Sequence, residues 1–326
     1  MKKTNTFLSA ILISAFLTLV SCDSSETNPT AVVPSTFEYL YIKSPATVSG
    51  GSTIWNLKNE TTAGAGFASP TNLRIDTPTP TLGNQILMAN QCSAYDKVNK
   101  KYAVSTGDRL VIYDVTNTAS VPAPTILTIA NIQAIEFVAG NLYILKNYQI
   151  KKYNSAFVLD ATFGPISLPF PISGASYASN LCYNGTDLYV INDGMLHKIN
   201  TTETGSISSI SLGTTSEFDG LEYINTTTLP NKLYAVKKGT SPKFVEIDPI
   251  TGAGTIKYTL TYTPDFSRIS SALDYTTEFY YLDSSNGFSS DQNTLTIIDL
   301  TPTGAYTPLP LTTPGNQYLF GLQLKD

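Results

Sequence analysis

The sequence has few of the residues on which common catalytic and nucleic-acid-binding sites depend. It contains one histidine, His197, and only three arginines in 326 residues. A single histidine argues against a zinc site of the usual type. A Ser-His-Asp triad would depend on His197, and no serine lies in a GxSxG motif. Because His197 falls on a predicted third strand, away from the axis, we expect it to be a packed or surface residue. The formal charge is −5 without a basic cluster, which excludes a nucleic-acid binder.

Charge is scarce throughout the chain, and so are helical patterns. Charged residues make up 14% of the sequence and hydrophobic residues 42%. Polarity comes mainly from Tyr, Thr, Ser and Asn, in short alternating segments separated by Gly, Pro and Asn. These features predict an all-β protein with many turns and a sizeable core. Neither a Walker-type phosphate loop nor a GxGxxG motif after a strand is present.

The only long apolar run lies at the start of the chain, between residues 7 and 20, after Lys2 and Lys3. This is the pattern of a secretory signal, and it is too short for a convincing transmembrane helix. Its end, Leu19-Val20-Ser21-Cys22, resembles the bacterial lipobox, which implies that Cys22 is lipidated and becomes the mature N-terminus. The alternative is an ordinary signal peptide with a chance cysteine.

The predicted organisation is therefore a signal peptide over residues 1–21, a Ser/Thr/Pro-rich tether over 22–36 and a folded domain over 37–326. Acyl chains on Cys22 would anchor the protein to a membrane. Asp23 resembles an inner-membrane retention signal in one bacterial rule, while acidic residues at this place accompany surface export in other lineages. We favour the outer membrane or the cell surface within the cell envelope, and the leaflet stays open.

Two further cysteines, Cys92 and Cys182, belong to a compartment that permits disulfides. Both fall on the first strand of a predicted repeat, two repeats apart. Because a disulfide needs Cα atoms within about 7 Å, we expect two buried free thiols, with a disulfide as the alternative.

Two sequence markers recur in step along the chain with a period of about 45 residues. One is Leu-Tyr or its equivalent, and the other is an aromatic residue or Ile followed by Asn or Asp. Each unit contains four short strand patterns, and the Asx residue suits the turn after the third. Four strands per period predict a β-propeller. The Leu-Tyr pairs are Leu40-Tyr41, Lys101-Tyr102, Leu142-Tyr143, Leu188-Tyr189, Leu233-Tyr234 and Phe279-Tyr280.

The two ends of the chain complement one another. First strands follow the template seen in "GLEY" (220–223), and the C-terminal Gly321-Leu322-Gln323-Leu324 fits it, whereas the N-terminal repeat has no first strand. We predict six blades of four antiparallel strands, closed when the C-terminal strand joins the N-terminal blade. The blades cover approximately 37–85 plus 317–326, 86–130, 131–173, 174–214, 215–264 and 265–316.

One position of the first-strand template varies in chemistry, with Asn180 and Asp219 close by. Three carboxylates near a propeller axis could hold a hard cation such as calcium, or act as acid and base. Alternatively, these side chains bond the backbone or Ser and Tyr hydroxyls between blades, which we favour. The residues at this position are Ala94, Glu136, Cys182, Glu222, Asp274 and Gln323.

By its blade pattern, the region 37–326 resembles the broad group of NHL-repeat, TolB-like and gluconolactonase-like propellers. The gluconolactonase-like enzymes hold a channel metal with Glu, Asn and Asp. Glu136, Asn180, Glu222 and Asp274 supply those residue types, but the sequence around them does not match the family motif, so no role is transferred.

Propellers host many activities, so fold alone does not assign a function. We expect a monomeric, non-catalytic binding or scaffold module for a protein or glycan, without a cofactor. One alternative is a metal-assisted hydrolase or lactonase with its site in the central channel. The other is a purely structural envelope component.

Overall fold

The computed structural model describes twelve segments of the chain. The predicted signal peptide, the lipidation at Cys22 and the tether up to residue 35 lie outside them. No helix capable of crossing a membrane occurs within these segments. The described residues are 36–43, 56–63, 71–75, 92–105, 109–117, 121–169, 178–202, 206–261, 269–285, 293–302, 304–311 and 319–325.

Five blades are each formed by four consecutive antiparallel strands. Blade I contains β4 (Ser93–Asp96), β5 (Lys101–Ser105), β6 (Leu110–Asp114) and β7 (Thr125–Leu127). Blade II contains β8 (Ile132–Val138), β9 (Asn141–Lys146), β10 (Gln149–Tyr153) and β11 (Ile166–Ser167). Blade III contains β12 (Cys182–Tyr183), β13 (Asp187–Asn192), β14 (Met195–Asn200) and β15 (Ile207–Ser211). Blade IV contains β16 (Phe218–Ile224), β17 (Lys232–Lys237), β18 (Lys243–Ile247) and β19 (Gly254–Thr259). Blade V contains β20 (Ser270–Asp274), β21 (Phe279–Ser285), β22 (Asn293–Asp299) and β23 (Tyr306–Leu311).

A further four-stranded sheet, the terminal sheet, combines strands from both ends of the described chain. It contains β1 (Thr36–Lys43), β2 (Asn56–Ala63), β3 (Thr71–Ile75) and β24 (Leu319–Leu324), in the order β24-β1-β2-β3. Strand β24 pairs antiparallel with β1, with Leu324 opposite Tyr39 and Leu319 opposite Lys43. The sequence predicts six blades, whereas the structure shows five blades built from consecutive strands. The terminal sheet differs from these five because its strands come from both ends of the described chain.

The antiparallel blades define two faces of the molecule. Turns between first and second strands, and between third and fourth strands, lie on one face, which we call the lower face. The remaining connections lie on the upper face. A contact between blades agrees with this assignment. The Thr226 hydroxyl, in the turn between the first and second strands of blade IV, donates to the Glu278 carboxylate in the same turn of blade V.

The core lies between neighbouring blades, and both sides of most strands are buried. All six residues of β13 are buried, for example. Tyr234 stacks on Phe244 with ring centroids 5.5 Å apart, and Phe244 meets Tyr280 of the next blade edge-on at 4.8 Å. Such strands read as nearly continuous hydrophobic runs because each sheet is covered on both faces.

The Leu-Tyr marker is displaced by one residue in two blades. Tyr143 packs against the blade that follows its own, as do its counterparts in blades III and IV. Tyr102 instead packs with Leu40 of the terminal sheet, and Tyr280 packs back onto blade IV. A shift of one residue moves a side chain to the opposite face of its sheet. The structural equivalents of Tyr143 are therefore Ala103 and Tyr281.

Candidate functional site

Glu136 and Glu222 approach one another although they belong to blades II and IV. Both side chains keep some solvent-accessible surface, although protein atoms surround their carboxyl groups. That combination is expected of side chains lining a narrow channel at the centre of a propeller. Burial raises the pKa of Glu136 well above its usual value, and the charge of Glu222 raises this pKa further. The two carboxyl groups thus oppose one another's ionisation.

Glu222 makes a hydrogen bond between blades. Its Oε1 accepts from the Ser271 hydroxyl at 2.7 Å. Burial raises the pKa of Glu222 to about 7, although the Ser271 bond and the charge of Lys97 act in the opposite direction. Gln323 makes the equivalent contact from β24, because its Nε2 donates to the carbonyl oxygen and the hydroxyl of Ser93 at 3.3 and 3.1 Å. Glu222 and Gln323, two of the residues at the variable template position, therefore each link their own strand to the first strand of the next blade.

The lower end of the channel contains an aromatic ring and a cation. Lys97 Nζ lies 5.8 Å from the centroid of the Tyr275 ring. Burial raises the pKa of Tyr275, and the acidic side chains nearby, Glu222 before Glu136, raise it further. These interactions place Tyr275 close to the two glutamates. Glu136 itself accepts a hydrogen bond from the backbone N–H of Phe137 at 2.8 Å.

Asp219 and Asn180 come together nearer the upper face. Burial raises the pKa of Asp219 to about 8, while backbone N–H groups of Gly220 and Asn180 bond its carboxylate and lower the pKa. Asn180 is itself buried. The Cys92 thiol also lies here, and burial raises its pKa to about 12. The prediction of buried free thiols at Cys92 and Cys182 is confirmed.

Asp274 does not join the glutamates, so the sequence alignment of this strand is wrong by two residues. Ala272 lies opposite Tyr281, as Glu222 lies opposite Tyr234. The Asp274 carboxylate instead accepts from the backbone N–H of Thr276 at 2.8 Å and from the Thr277 hydroxyl at 2.6 Å.

Asp96 of blade I fills the place equivalent to Asp274. It accepts from the backbone N–H groups of Val98 and Asn99 at 3.0 and 3.1 Å. Both aspartates thus stabilise the turn that follows a first strand.

Asp283, on a second strand, is a buried acid that the repeat pattern does not predict. It is 2% exposed, and its pKa is raised by burial. Ser270 Oγ lies 3.5 Å from its Oδ2 and accepts from the backbone N–H of Leu322 at 3.0 Å. The sequence does contain a signal for it, since an acid follows the apolar run Phe279–Leu282 on a predicted strand.

The described segments contain no group of three His, Cys, Asp or Glu side chains arranged to hold a metal ion. His197 is buried on a third strand, where its Nδ1 lies 2.8 Å from the Ser209 hydroxyl and burial lowers its pKa. Of the two positions expected for His197, packed or at the surface, it occupies the packed one. The hydrogen-bonding groups of the channel mostly bond the protein itself.

Comparison with known proteins extends this picture at the level of fold. No protein family and no curated protein matches the sequence. A solved structure described as a putative TolB from Agrobacterium tumefaciens superposes on 89% of this chain and 99% of its own, with a TM-score of 0.51 and 10% identity. The fold is a β-propeller. Identity this low shows the fold alone.

Two further propeller structures match with lower TM-scores. The Dos1 propeller shares 15% identity over 70% of this chain, with a TM-score of 0.44. The Pan2 WD40 domain of Neurospora crassa shares 12% identity over 71% of this chain, with a TM-score of 0.48. The match covers 63% of the Dos1 chain and 69% of the Pan2 chain.

Proposed function

We propose that this protein is a lipid-anchored propeller of the cell envelope that serves as a monomeric binding or scaffold module for a protein or glycan. The supporting observation is the use of the variable first-strand position. Glu222 and Gln323 bond Ser271 and Ser93 on the next first strand. Polar groups of the channel thereby join blades, which leaves the two outer faces for recognition.

The proposal includes a closed ring of six blades, with the terminal sheet as the sixth. Strand β24 pairs with β1 and contacts the first strands of blades I and V, β4 and β20. Gly321 of β24 and Gly220 of β16 have the same left-handed backbone, with φ of 73° and 63°. These features support an equivalent place for β24 in the ring.

The anchor is proposed from the lipobox-like sequence that ends at Cys22, with the outer membrane or the cell surface as its site. Fractionation tests it directly. Wild type should sediment with membranes and partition into the detergent phase, whereas Cys22→Ala should be recovered in the soluble fraction. Equal partitioning of the two proteins would refute the anchor.

A metal-assisted hydrolase or lactonase is the second candidate, and one observation favours it. Glu136 and Glu222 interact electrostatically and both have raised pKa values, as an acid–base pair or half of a calcium site would. The first proposal predicts no calcium-dependent change in the melting temperature. The second predicts one bound ion per chain and a melting temperature that falls on chelation.

The decisive measurement is metal content together with melting curves with and without a chelator. Glu136→Gln and Glu222→Gln remove the facing charges, and Asp274→Asn is the matched control because its carboxylate serves a turn. Ion binding lost in both glutamine variants but kept in the control would replace the binding module with the channel enzyme. A melting temperature that the chelator leaves unchanged in every protein supports the binding module.

A further inference from the structure

Exposed apolar side chains gather on the lower face. Six large hydrophobic residues are exposed among those whose burial is described, and five of them lie in or beside lower-face turns. The sixth, Ile256, lies on the outermost strand of blade IV. The five are Val98, Ile250, Val158, Leu159 and Tyr275, which are exposed by 87, 72, 59, 48 and 44% respectively.

Two of these turns present their apolar side chain because an aspartate two positions earlier bonds the backbone of the turn. Asp96 bonds the backbone N–H of Val98, and Asp248 bonds that of Ile250 at 2.7 Å. The carboxylate is thus occupied by the turn, while the residue two positions later projects outward. Threonine occupies the same place in other lower-face turns, for example Thr116 and Thr202. At these four turns the residue two positions after the Asx side chain is therefore apolar or uncharged.

The chain enters the described structure at this same face. Strand β1 occupies the place of a second strand, and second strands run from the lower face to the upper face. Its first residue, Thr36, pairs with Ala63 at the lower edge of the terminal sheet. Cys22 precedes Thr36 by 14 positions. A fully extended chain of that length reaches at most about 50 Å, so a lipid on Cys22 would keep the entry point of the chain, on the lower face, within that distance of the bilayer.

We propose that the lower face rests on the membrane surface, with Val98, Tyr275 and Val158 at the boundary between headgroups and acyl chains. This inference rests on the lipid anchor of the proposed function. Tyrosine suits that boundary because its ring is apolar and its hydroxyl is polar, and Lys97 beside it can reach anionic headgroups. The upper face would then point away from the membrane, toward a partner.

Separate tips fit a lipid surface better than a protein partner. A protein interface needs a contiguous, complementary patch, whereas these side chains stand on separate turns of different blades. Each tip alone would contribute little binding. An anchor raises the effective concentration of the face at the bilayer, so that weak contacts suffice to set its orientation.

Fluorescence quenching in vesicles tests the orientation of the lipidated full-length protein. Val98→Trp and Val158→Trp place a probe at two lower-face tips, and Ser241→Trp places one at an exposed upper-face turn. Vesicles contain phosphatidylcholine with or without brominated acyl chains, and wild type supplies the background of the native tryptophan. We expect quenching at both lower-face probes to be at least about twice that at Ser241→Trp, because interfacial side chains enter the acyl boundary.

Flotation of the same samples separates this inference from the anchor. Protein that floats with vesicles but shows equal quenching at all three positions overturns the docking proposal while leaving the anchor intact. A blue shift at Val98→Trp without quenching by brominated lipid also overturns it, since that result indicates contact with protein. Failure to float overturns both proposals.

Discussion

The hydroxyl of Tyr102 donates a hydrogen bond of 2.6 Å to the carbonyl oxygen of Gly321, a residue 219 positions away. The Tyr280 hydroxyl makes the same contact with Gly220 on another pair of neighbouring sheets. In both places a second-strand tyrosine reaches over a left-handed glycine in the adjacent first strand. The "Gly-Leu" of the sequence template therefore marks a bulge that another sheet covers.

Substitution at Gly321 should destabilise the protein through both its backbone and its neighbour. A Cβ at this position would overlap the Tyr102 hydroxyl, and its φ of 73° disfavours alanine. We expect Gly321→Ala to lower the free energy of unfolding by more than about 2 kcal/mol, and Tyr102→Phe by about 1–2 kcal/mol. Because the phenylalanine removes the overlapping oxygen, the double variant should lose less than the sum. Chemical denaturation of the two single variants and the double variant, each compared with wild type, measures these changes in the free energy of unfolding.

Gly213→Ala is the matched control for backbone strain. Its φ is 65°, but a Cβ there would meet no atom within 4 Å. It should cost only about 1 kcal/mol. An equal loss at Gly213 and Gly321, or strict additivity with Tyr102→Phe, would show that the overlap with the tyrosine is unimportant.

Stability should decrease as pH rises from 5 to 8. Burial raises the pKa of Asp219 from 3.8 to about 8, so the folded state holds this proton more tightly than the unfolded chain does. The resulting stabilisation is complete below about pH 4 and is lost as pH approaches 8. We expect the free energy of unfolding of wild type to fall more steeply with pH than that of Asp219→Asn, by up to about 1 kcal/mol per pH unit.

Asp160→Asn provides the comparison for this pH series. Hydrogen bonds from Thr162 and a contact with Lys152 lower the pKa of Asp160 to about 2, so it stays ionised across this range. Its substitution should shift the stability equally at every pH. Parallel curves for wild type and Asp219→Asn would contradict a buried proton on Asp219.

The two interior thiols should resist modification in the native protein. Burial raises the pKa of Cys92 to about 12 and that of Cys182 well above its usual value, so neither forms a thiolate at neutral pH. Iodoacetamide should label both only after urea is added, as peptide mass spectrometry would detect. A reducing agent should leave the melting temperature unchanged, and a drop on reduction would reveal a disulfide.

Removal of the Asp274 carboxylate should weaken a turn and leave the channel unaffected. Asp274→Ala loses the bonds to Thr276 and Thr277, which should cost about 1 kcal/mol of stability. Asp96→Ala, at the equivalent turn of blade I, should cost a similar amount. Thermal melting of both variants tests this equivalence, which a silent Asp274→Ala would contradict.

Much of the fold can be predicted from the sequence because turn chemistry and glycine are local signals. The Asx residues at the ends of third strands lie in turns, as expected, and Gly321 repeats the conformation of Gly220. Strand register is harder to predict. Tyr102 and Tyr280 can pack on either side of a blade. In addition, strands that are buried on both faces lack the alternation of apolar and polar residues from which register is predicted.

The sequence places Glu136 and Glu222 at the same template position near the axis, but how closely they approach could not be predicted, for a different reason. The two residues come from blades that are not adjacent, and their separation depends on how many blades surround the channel and how each is tilted. A consensus of the repeats does not predict Asp283, because no other blade has an acid at this position. The equivalent residues are Ser105, Leu145, Ile191 and Val236. A site that occurs in one blade only is lost from a repeat consensus.

The pairing of β24 with β1 also imposes an order of events on biosynthesis. Strand β1 ends at Lys43, and its partner begins at Leu319. Strand β1 can pair with β2 early, but all the residues between Lys43 and Leu319 must leave the ribosome before it can pair with β24. Until then the backbone groups on that edge of β1 stay open to other chains. Such late, long-range pairing is slow. Until it is complete, the exposed edge of β1 is the part of the newly made protein that most needs a chaperone to prevent aggregation.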